Sequence, residues 1–353
     1  MTVLKLGSLF DGIGVFPLAA MHCGMEPVWA SEIEARPISI TKRHFPDMLH
    51  LGDITKISGA EIPPVNVITF GSPCQDLSQI GTRNGFAGKK SSLFYQAMRI
   101  IEEMRYATNG RYPAFCIWEN VAGAFSSNDR LDFAAMLRAF TGAEVSVPPR
   151  GWAHAGMVRG GRADTAWRLL DAQYWGEPAL AQRRKRVFVV ADFAGQRAGE
   201  VLFKPRTVLP FSAIGGPGGL TATSGSGVPA AQTGRQVPIV RPFSLRRMRT
   251  MAQVGDQKGF CASFGRGGEP FPTLLASVTA PFSFWYEGEE RDGFLRALTP
   301  LECERLMGLP ENWTKYGCKN EEISDHARYR ALGNSIALPC AEYMMAGIAE
   351  VMN

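Results

Sequence analysis

The stretch "LKLGSLFDGIGVFPLAAMHCG", residues 4–24, contains a strand pattern, a glycine-rich turn and a helix pattern in direct succession. The helix pattern has a proline in its first turn and a glycine at its end, as helices often do. The glycines of the turn, residues 11–14, allow a ligand to approach the backbone, and a helix N-terminus favours negative charge. The unit predicts a nucleotide-type site, with a plain tight turn as the alternative. It departs from G-x-G-x-x-G, which argues against an ordinary dinucleotide site.

The alternation of strand and helix patterns continues through the first half of the chain. It predicts an α/β fold, a mostly parallel sheet with helices on both faces. In such a fold ligands bind at the carboxyl ends of the strands. Further strand patterns lie at 27–33, 65–71, 115–121 and 186–193, and helix patterns at 36–45, 92–106 and 129–140.

The composition changes after about residue 194. "GGPGGLTATSGSG", residues 215–227, has six glycines in thirteen positions, and helical periodicity is lacking up to about 294. We therefore predict a catalytic and cofactor-binding domain at 1–193 and a smaller irregular domain at 194–294. A C-terminal part, 295–353, returns to the first domain and carries two helix patterns, the first with Thr299 as its N-cap.

The overall composition limits the function classes. The chain has 353 residues and a net charge of +5, with no signal-like N-terminus and no apolar run of membrane-spanning length. We expect a cytoplasmic monomer without membrane contact. The seven cysteines are scattered and the five histidines do not cluster, so no metal site is expected. Between 201 and 255 there are seven basic residues and no acidic one, which favours phosphate binding over a merely solvated surface.

Three features predict catalytic chemistry. Cys74, in "ITFGSPCQDLSQIG" (68–81), follows an apolar run instead of lying inside it, which favours a nucleophilic thiolate over an inert buried thiol. Glu119 follows Trp118 at a strand end, where partial desolvation would raise its pKa, although a structural carboxylate is equally consistent. In "QRRKR" (182–186) alternate side chains share one face of a strand and could reach that site, or could instead protect a sheet edge.

Two further acids follow strand patterns in the first half. Glu32 could accept both ribose hydroxyls of an adenosine, and Asp53 could accept from an adenine amino group. Each alone is more typical of a helix cap or a surface acid. Together with the turn at 11–14 they favour an adenosyl cofactor.

The combined motifs resemble those of the DNA (cytosine-5) methyltransferase family. They occur in the family's order and cover most of the chain outside 194–294. The resemblance implies a Rossmann-like S-adenosylmethionine-dependent sheet, double-stranded DNA as substrate and, in some systems, a cognate restriction endonuclease as partner. The motifs are "LFDGIG", "ASEIE", "GDIT", "GSPCQDLS", "WENVAG", "QRRKRVF", "RALTPLECERLMGLPENW" and "RALGNSIALP".

By this resemblance Cys74 would attack carbon 6 of a flipped-out cytosine, and Glu119 would contact ring nitrogen 3 and the amino group. The arginines would orient the base. The implied catalytic residues are Cys74, Glu119, Gln182, Arg184 and Arg186. The implied S-adenosylmethionine site comprises Phe10, Asp11, Gly12, Gly14, Glu32, Ile33, Asp53, Ile54, Pro73, Asn334 and Ser335. The implied DNA contacts are Gln75, Ser78, Arg241, Arg246, Arg247, Arg249, Thr273 and Leu274, most of them in the target-recognition domain at 194–294.

Two other functions remain open at this stage. One is an RNA cytosine-5 methyltransferase of the same fold, and the other is a catalytically silent DNA-binding homologue. The predicted recognition domain, with its acid-free stretch, favours DNA. The presence of Cys74, Glu119 and Arg184 argues against a silent protein. A nicotinamide dehydrogenase is disfavoured because the glycine pattern is wrong. Val15 departs from the family pattern, where a glycine is common.

Overall fold

The computed structural model describes residues 3–72, 93–204, 239–242, 270–271, 273–274, 282–286 and 294–352. Within them a sheet of eight strands has the order β3-β2-β1-β4-β5-β8-β7-β6. The five strands β1 to β5 run parallel, and β8, β7 and β6 continue the sheet in antiparallel pairs. The strands are β1 (Lys5–Leu9), β2 (Glu26–Ser31), β3 (Leu49–His50), β4 (Val67–Phe70), β5 (Phe115–Val121), β6 (Ala155–Arg159), β7 (Asp164–Asp171) and β8 (Lys185–Asp192).

Helices cover both faces of this sheet, as the sequence predicts. The strand β8 shows it most directly, because Val187 and Val189 lie in one apolar cluster and Phe188 and Val190 in the other. Side chains of a strand alternate between faces, so the two clusters are the two sides of the sheet. The helices are α1 (Val15–His22), α2 (Ala35–His44), α3 (Leu93–Ala107), α4 (Leu131–Thr141), α5 (Ala198–Leu202), α6 (Pro300–Leu306), α7 (Asp325–Asn334) and α8 (Leu338–Met352).

The antiparallel half of the sheet was not expected. Strand–helix alternation predicts parallel strands, but β6 and β7 are joined by only four residues, 160–163. A connection that short forms a hairpin, since a parallel crossover needs a dozen residues or more. The sheet is therefore mixed.

The C-terminal part packs against the beginning of the chain. The first turn of α6 has the predicted cap: Thr299 accepts from the backbone N–H of Glu302, whose carboxylate accepts from the backbone N–H of Thr299. Helix α8 lies beside α1 and α5. Inside the predicted recognition domain and at its end, the described strands β9 (Ile239–Pro242), β10 (Phe282–Tyr286) and β11 (Phe294–Ala297) form an antiparallel sheet. The domain boundaries themselves stay predictions.

Candidate active site

The carboxyl ends of β1 and β2 are joined through Glu32. Its Oε2 accepts a hydrogen bond from the Gly12 N–H at 2.9 Å, and its Oε1 accepts from the N–H groups of Ile33 at 2.7 Å and Glu34 at 3.0 Å. Gly12 has a positive φ of 59°, and a Cβ there would meet nothing within 4 Å. The glycine turn therefore leaves open space directly beside an anchored carboxylate.

Asp11, in the same turn, has an unusual environment. Both carboxylate oxygens are buried, and within the described part of the chain neither accepts a hydrogen bond of good geometry. Burial, with a smaller contribution from the neighbouring charge of Glu32, raises the pKa of Asp11 to about 7 against the opposing effect of the Ser8 and Thr41 hydroxyls. The turn thus carries a carboxyl group that titrates near neutrality.

The next residues predicted to hold the cofactor have different surroundings. Asp53 is exposed, and its Oδ1 accepts from both the N–H and the hydroxyl of Thr55, which lowers the pKa of Asp53. The side chain of Ile33 is 72% exposed. Ile54 instead lies in the apolar core, and its carbonyl accepts from Arg99, so its side chain is not presented to a ligand.

Two other residues of the first motif have constrained backbones. Phe10 has a φ of 53°, a left-handed conformation that an aromatic residue rarely adopts. Gly14 has a φ of 78°, and a Cβ there would lie 2.9 Å from the ring of Phe45. Gly14 therefore serves the packing of the turn on α2, which is a reason for glycine that does not involve a ligand.

The end of the chain returns to this turn. The indole N–H of Trp313 donates to the Ile13 carbonyl at 2.8 Å, and the Trp313 ring stacks on His44 at 3.6 Å. Arg330 in α7 donates to Glu34 at 2.6 Å. Asn334 and Ser335 follow at the end of α7, with Asn334 exposed. Trp313 belongs to the "LPENW" motif, but nothing in the local sequence predicts its contact with the first turn.

The end of β5 carries the predicted acid. Glu119 is buried, and its Oε1 lies 3.0 Å from Nε of Arg186, which pairs across the sheet with Val121. Burial raises the pKa of Glu119, and the positive charges of Arg186 and Arg184 lower it in part. The carboxyl group is therefore held in a dry site beside a fixed cation.

The same strand anchors the chain that leads to Cys74. The indole N–H of Trp118 donates to the Ser72 hydroxyl at 3.1 Å, and the Asn120 amide donates to the Ser72 carbonyl at 3.0 Å. A Cβ at Gly71 would lie 3.1 Å from Glu119 Oε2. The predicted acid Glu119 and Ser72, two positions before Cys74, are thus held close together.

The remaining residues of "QRRKR" have other surroundings. Gln182 is fully buried, and neither end of its amide has a hydrogen-bond partner among the residues that the structure describes. Arg184 is also buried, and its guanidinium donates to the carbonyls of Leu274, Gly333 and Ser335. The structure thus brings Arg186, and not the guanidinium of Arg184, into direct contact with Glu119.

The predicted DNA contacts are only partly described. Thr273 is half-buried and donates its hydroxyl to the Arg183 carbonyl at 2.6 Å, and the Leu274 side chain is buried. Arg241 lies in β9. Seven predicted residues lie outside the described residues: Pro73, Cys74, Gln75, Ser78, Arg246, Arg247 and Arg249.

Comparison with protein families gives a match over both halves of this site. The profile of C-5 cytosine-specific DNA methylases covers residues 4–203 and 246–350. The chain belongs to this family. The gap between the two matched ranges, 204–245, lies inside the predicted recognition domain.

Individual relatives are distant. The DNA N-6-adenine-methyltransferase of Escherichia phage P1 is 24% identical over 98% of this chain, which spans only 61% of that protein's length. The type II methyltransferase M1.ScrFI of Lactococcus lactis subsp. cremoris is 26% identical, covering 99% of this chain and 78% of its own. The S. pombe Dnmt2 methyltransferase matches in structure with a TM-score of 0.58 at 16% identity, over 100% of both chains, which shows the fold.

The described residues contain neither a membrane-spanning helix nor a metal-binding cluster. None of their helices is long and apolar enough to cross a membrane. They contain no group of three or more histidine, cysteine or acidic side chains arranged to hold a metal ion.

Proposed function

We propose that this chain transfers a methyl group from S-adenosylmethionine to carbon 5 of a cytosine flipped out of a specific sequence in duplex DNA. The observation that carries the proposal is the buried Glu119–Arg186 pair at 3.0 Å, beside Gly71 and Ser72, in a member of the cytosine-specific family. Cys74 follows Ser72 by two positions in the sequence.

The cofactor end of the sheet fits an adenosyl group. Glu32 is anchored by three backbone N–H groups and Asp53 by Thr55, so two carboxylates stand at successive strand ends. The exposed side chain of Ile33 gives an apolar surface for a purine ring, and Gly12 leaves space beside it. We propose that these residues hold S-adenosylmethionine, together with Phe10 and the turn at 334–335. When bound, that cofactor supplies an electrophilic methyl group.

The nucleophile of the proposed reaction is the thiolate of Cys74. Its sulfur forms a bond to carbon 6 of the cytosine, which makes carbon 5 nucleophilic enough to accept the methyl group. The proton on carbon 5 then passes to solvent water, the carbon 5–carbon 6 double bond re-forms, and the bond between sulfur and carbon 6 breaks, which returns the thiolate and releases the methylated base. The base must leave the stack because carbon 5 cannot be reached inside a duplex.

Glu119 and Arg186 would stabilise the ring during this step. Burial raises the pKa of Glu119, so this carboxyl group takes up a proton more readily than a free one and would share it with ring nitrogen 3, where negative charge develops on attack. Arg186 lies beside it and would orient the base and offset the developing charge. The unpartnered amide of Gln182 gives a further buried donor and acceptor on the same motif.

Specificity would come from the segment 194–294. Its acid-free stretch supplies cations for phosphates, while base edges give the sequence information. A restriction endonuclease of the same specificity is the partner suggested by the type II relatives.

The proposal is tested by expressing the chain beside a plasmid and sequencing the plasmid after bisulfite treatment. We expect methylated cytosines in one sequence context, lost in Cys74→Ala and kept in Cys318→Ala, a control at an exposed cysteine remote in sequence. Methylation of adenine alone, or of transfer RNA but not plasmid, would contradict it. Full activity of the Cys74→Ala protein would contradict the covalent step.

A further inference from the structure

We propose that Arg184 is a positioning residue that couples the recognition segment to the cofactor-side turn, and that it does not contact the target base. The recognition segment is here 271–274, and the cofactor-side turn is 333–335. The inference rests on the proposed function and deepens it, since it assigns communication between the DNA and cofactor sites to one side chain.

The hydrogen bonds of the guanidinium are the first observation. Arg184 is 1% exposed. Its Nη1 donates to the Leu274 carbonyl at 3.0 Å, and its Nη2 donates to the carbonyls of Gly333, at 2.9 Å, and Ser335. These acceptors are 90, 149 and 151 positions away in sequence. One planar side chain therefore joins two remote segments of the chain.

The backbone around Arg184 fixes the recognition segment to the same strand. The Arg183 N–H donates to the Phe271 carbonyl at 2.7 Å, and the Phe271 N–H donates to the Ala181 carbonyl at 2.7 Å. The Thr273 hydroxyl donates to the Arg183 carbonyl at 2.6 Å. The recognition segment is thus attached to "QRRKR" on one side, and the Arg184 guanidinium extends that attachment to the cofactor-side turn.

Arg184 and Arg186 belong to the same motif, "QRRKR", but have different partners. Arg186 contacts the carboxylate of Glu119, whereas the described acceptors of the Arg184 guanidinium are backbone carbonyls. Carbonyl positions change when their backbone moves, so a ligand that shifts the cofactor-side turn also shifts the guanidinium. Leu274 would follow because the same guanidinium donates to its carbonyl. This arrangement links two sites through one contiguous network.

The consequence is a reciprocal effect on binding. If the cofactor-side turn and the recognition segment are coupled, bound cofactor product raises the affinity for specific DNA, and DNA raises the affinity for the cofactor product by the same factor. Lysine at 184 keeps the charge but, as a single ammonium group, cannot reproduce a planar fork that reaches both segments. The coupling factor should therefore fall.

The experiment measures the dissociation constant of S-adenosylhomocysteine with and without a duplex that contains the site found by bisulfite sequencing. We expect at least a roughly fivefold tightening by DNA in the wild type, the lower end of ordinary couplings. In Arg184→Lys the factor should fall to about one. The matched control is Arg328→Lys, because Arg328 is similarly buried but bonds to Glu304 and Thr314 within the C-terminal part. Its coupling should stay at the wild-type value.

A second measurement does not depend on a variant. In the wild type, S-adenosylhomocysteine should slow hydrogen exchange in the peptide that covers 271–274. The inference would be overturned if Arg184→Lys kept the coupling, or if Arg328→Lys lost it equally. It would also be overturned if the wild type showed neither coupling nor slower exchange at 271–274. Failure of the proposed function is distinguishable, since the wild type would then methylate no cytosine at all.

Discussion

The substitution Asp11→Asn should stabilise the protein in a pH-dependent way. The pKa of Asp11 is raised by burial from 3.8 to about 7, so the native state keeps a proton that the unfolded chain has already released in this range. The contribution of this carboxyl group to stability is therefore full below pH 3.8. This contribution decreases as pH rises from 3.8 towards 7, and above pH 7 it no longer changes.

The magnitude follows from the width of this window. Each pH unit between 3.8 and about 7 costs the native state about 1.4 kcal/mol, which gives as much as about 4 kcal/mol at pH 8. Asparagine cannot ionise, so Asp11→Asn avoids the whole of this cost. Its amide needs partners in a buried place, and the hydroxyls of Ser8 and Thr41 are the nearest. The gain is therefore below the full value.

The assay is urea unfolding of both proteins without cofactor at pH 5, 6, 7 and 8. We expect the difference in midpoint to widen steadily with pH and to level off above 7. Asp53→Asn is the control of opposite sign, because hydrogen bonds from Thr55 lower the pKa of Asp53. It should lose stability above pH 3.8. Parallel curves for Asp11→Asn and the wild type would refute the reasoning.

Two further predictions concern strand β5 and the residues that it contacts. Glu119→Gln should lower kcat by about 10²- to 10⁴-fold, measured by single-turnover methylation, because the amide cannot exchange a proton with the ring. The dissociation constant of S-adenosylhomocysteine, measured by calorimetry, should stay the same. The Glu119→Gln protein should also have a lower melting temperature, since Arg186 loses its charged partner. A methylation rate within tenfold of wild type would contradict the proposed role of Glu119 in proton exchange. Ser72→Ala leaves the buried Trp118 N–H without its acceptor, at a cost of about 1–3 kcal/mol of unfolding free energy. It should slow formation of the adduct with 5-fluorocytosine DNA, and an unchanged rate would show that this anchor does not position the nucleophile's segment.

Some parts of the site follow from local sequence. Glu119 and Glu32 lie at the carboxyl ends of strand patterns, and these ends meet at one edge of a parallel sheet, so sequence alone places both residues at that edge. The cap at Thr299 is equally local, since it needs only residues 299–302. Short-range rules suffice where a residue's role depends on its own element.

Other parts depend on contacts that no local rule reveals. Residue alternation puts Arg184 and Arg186 on one face and predicts one role for both, but the acceptors of Arg184 lie 90 to 151 positions away. The contacts of Ser72 with Trp118 and Asn120 span 46 and 48 positions. The β6–β7 hairpin lies between the predicted helix at 129–140 and the predicted strand at 186–193, where the sequence patterns predict no element.

The proposed cofactor site, at the carboxyl ends of β1 and β2, is built from residues on both sides of the predicted boundary at 193. Ile13 belongs to the first turn, and its carbonyl accepts from the indole of Trp313, 300 positions later. Glu34, just before α2, accepts from Arg330 at 2.6 Å. Both contacts come from the C-terminal part, and α8 packs on α1 immediately after the turn. Residues 1–193 therefore supply the carboxylates of the proposed cofactor site, but the first turn and the segment after Glu32 are held by Trp313 and Arg330 of the C-terminal part.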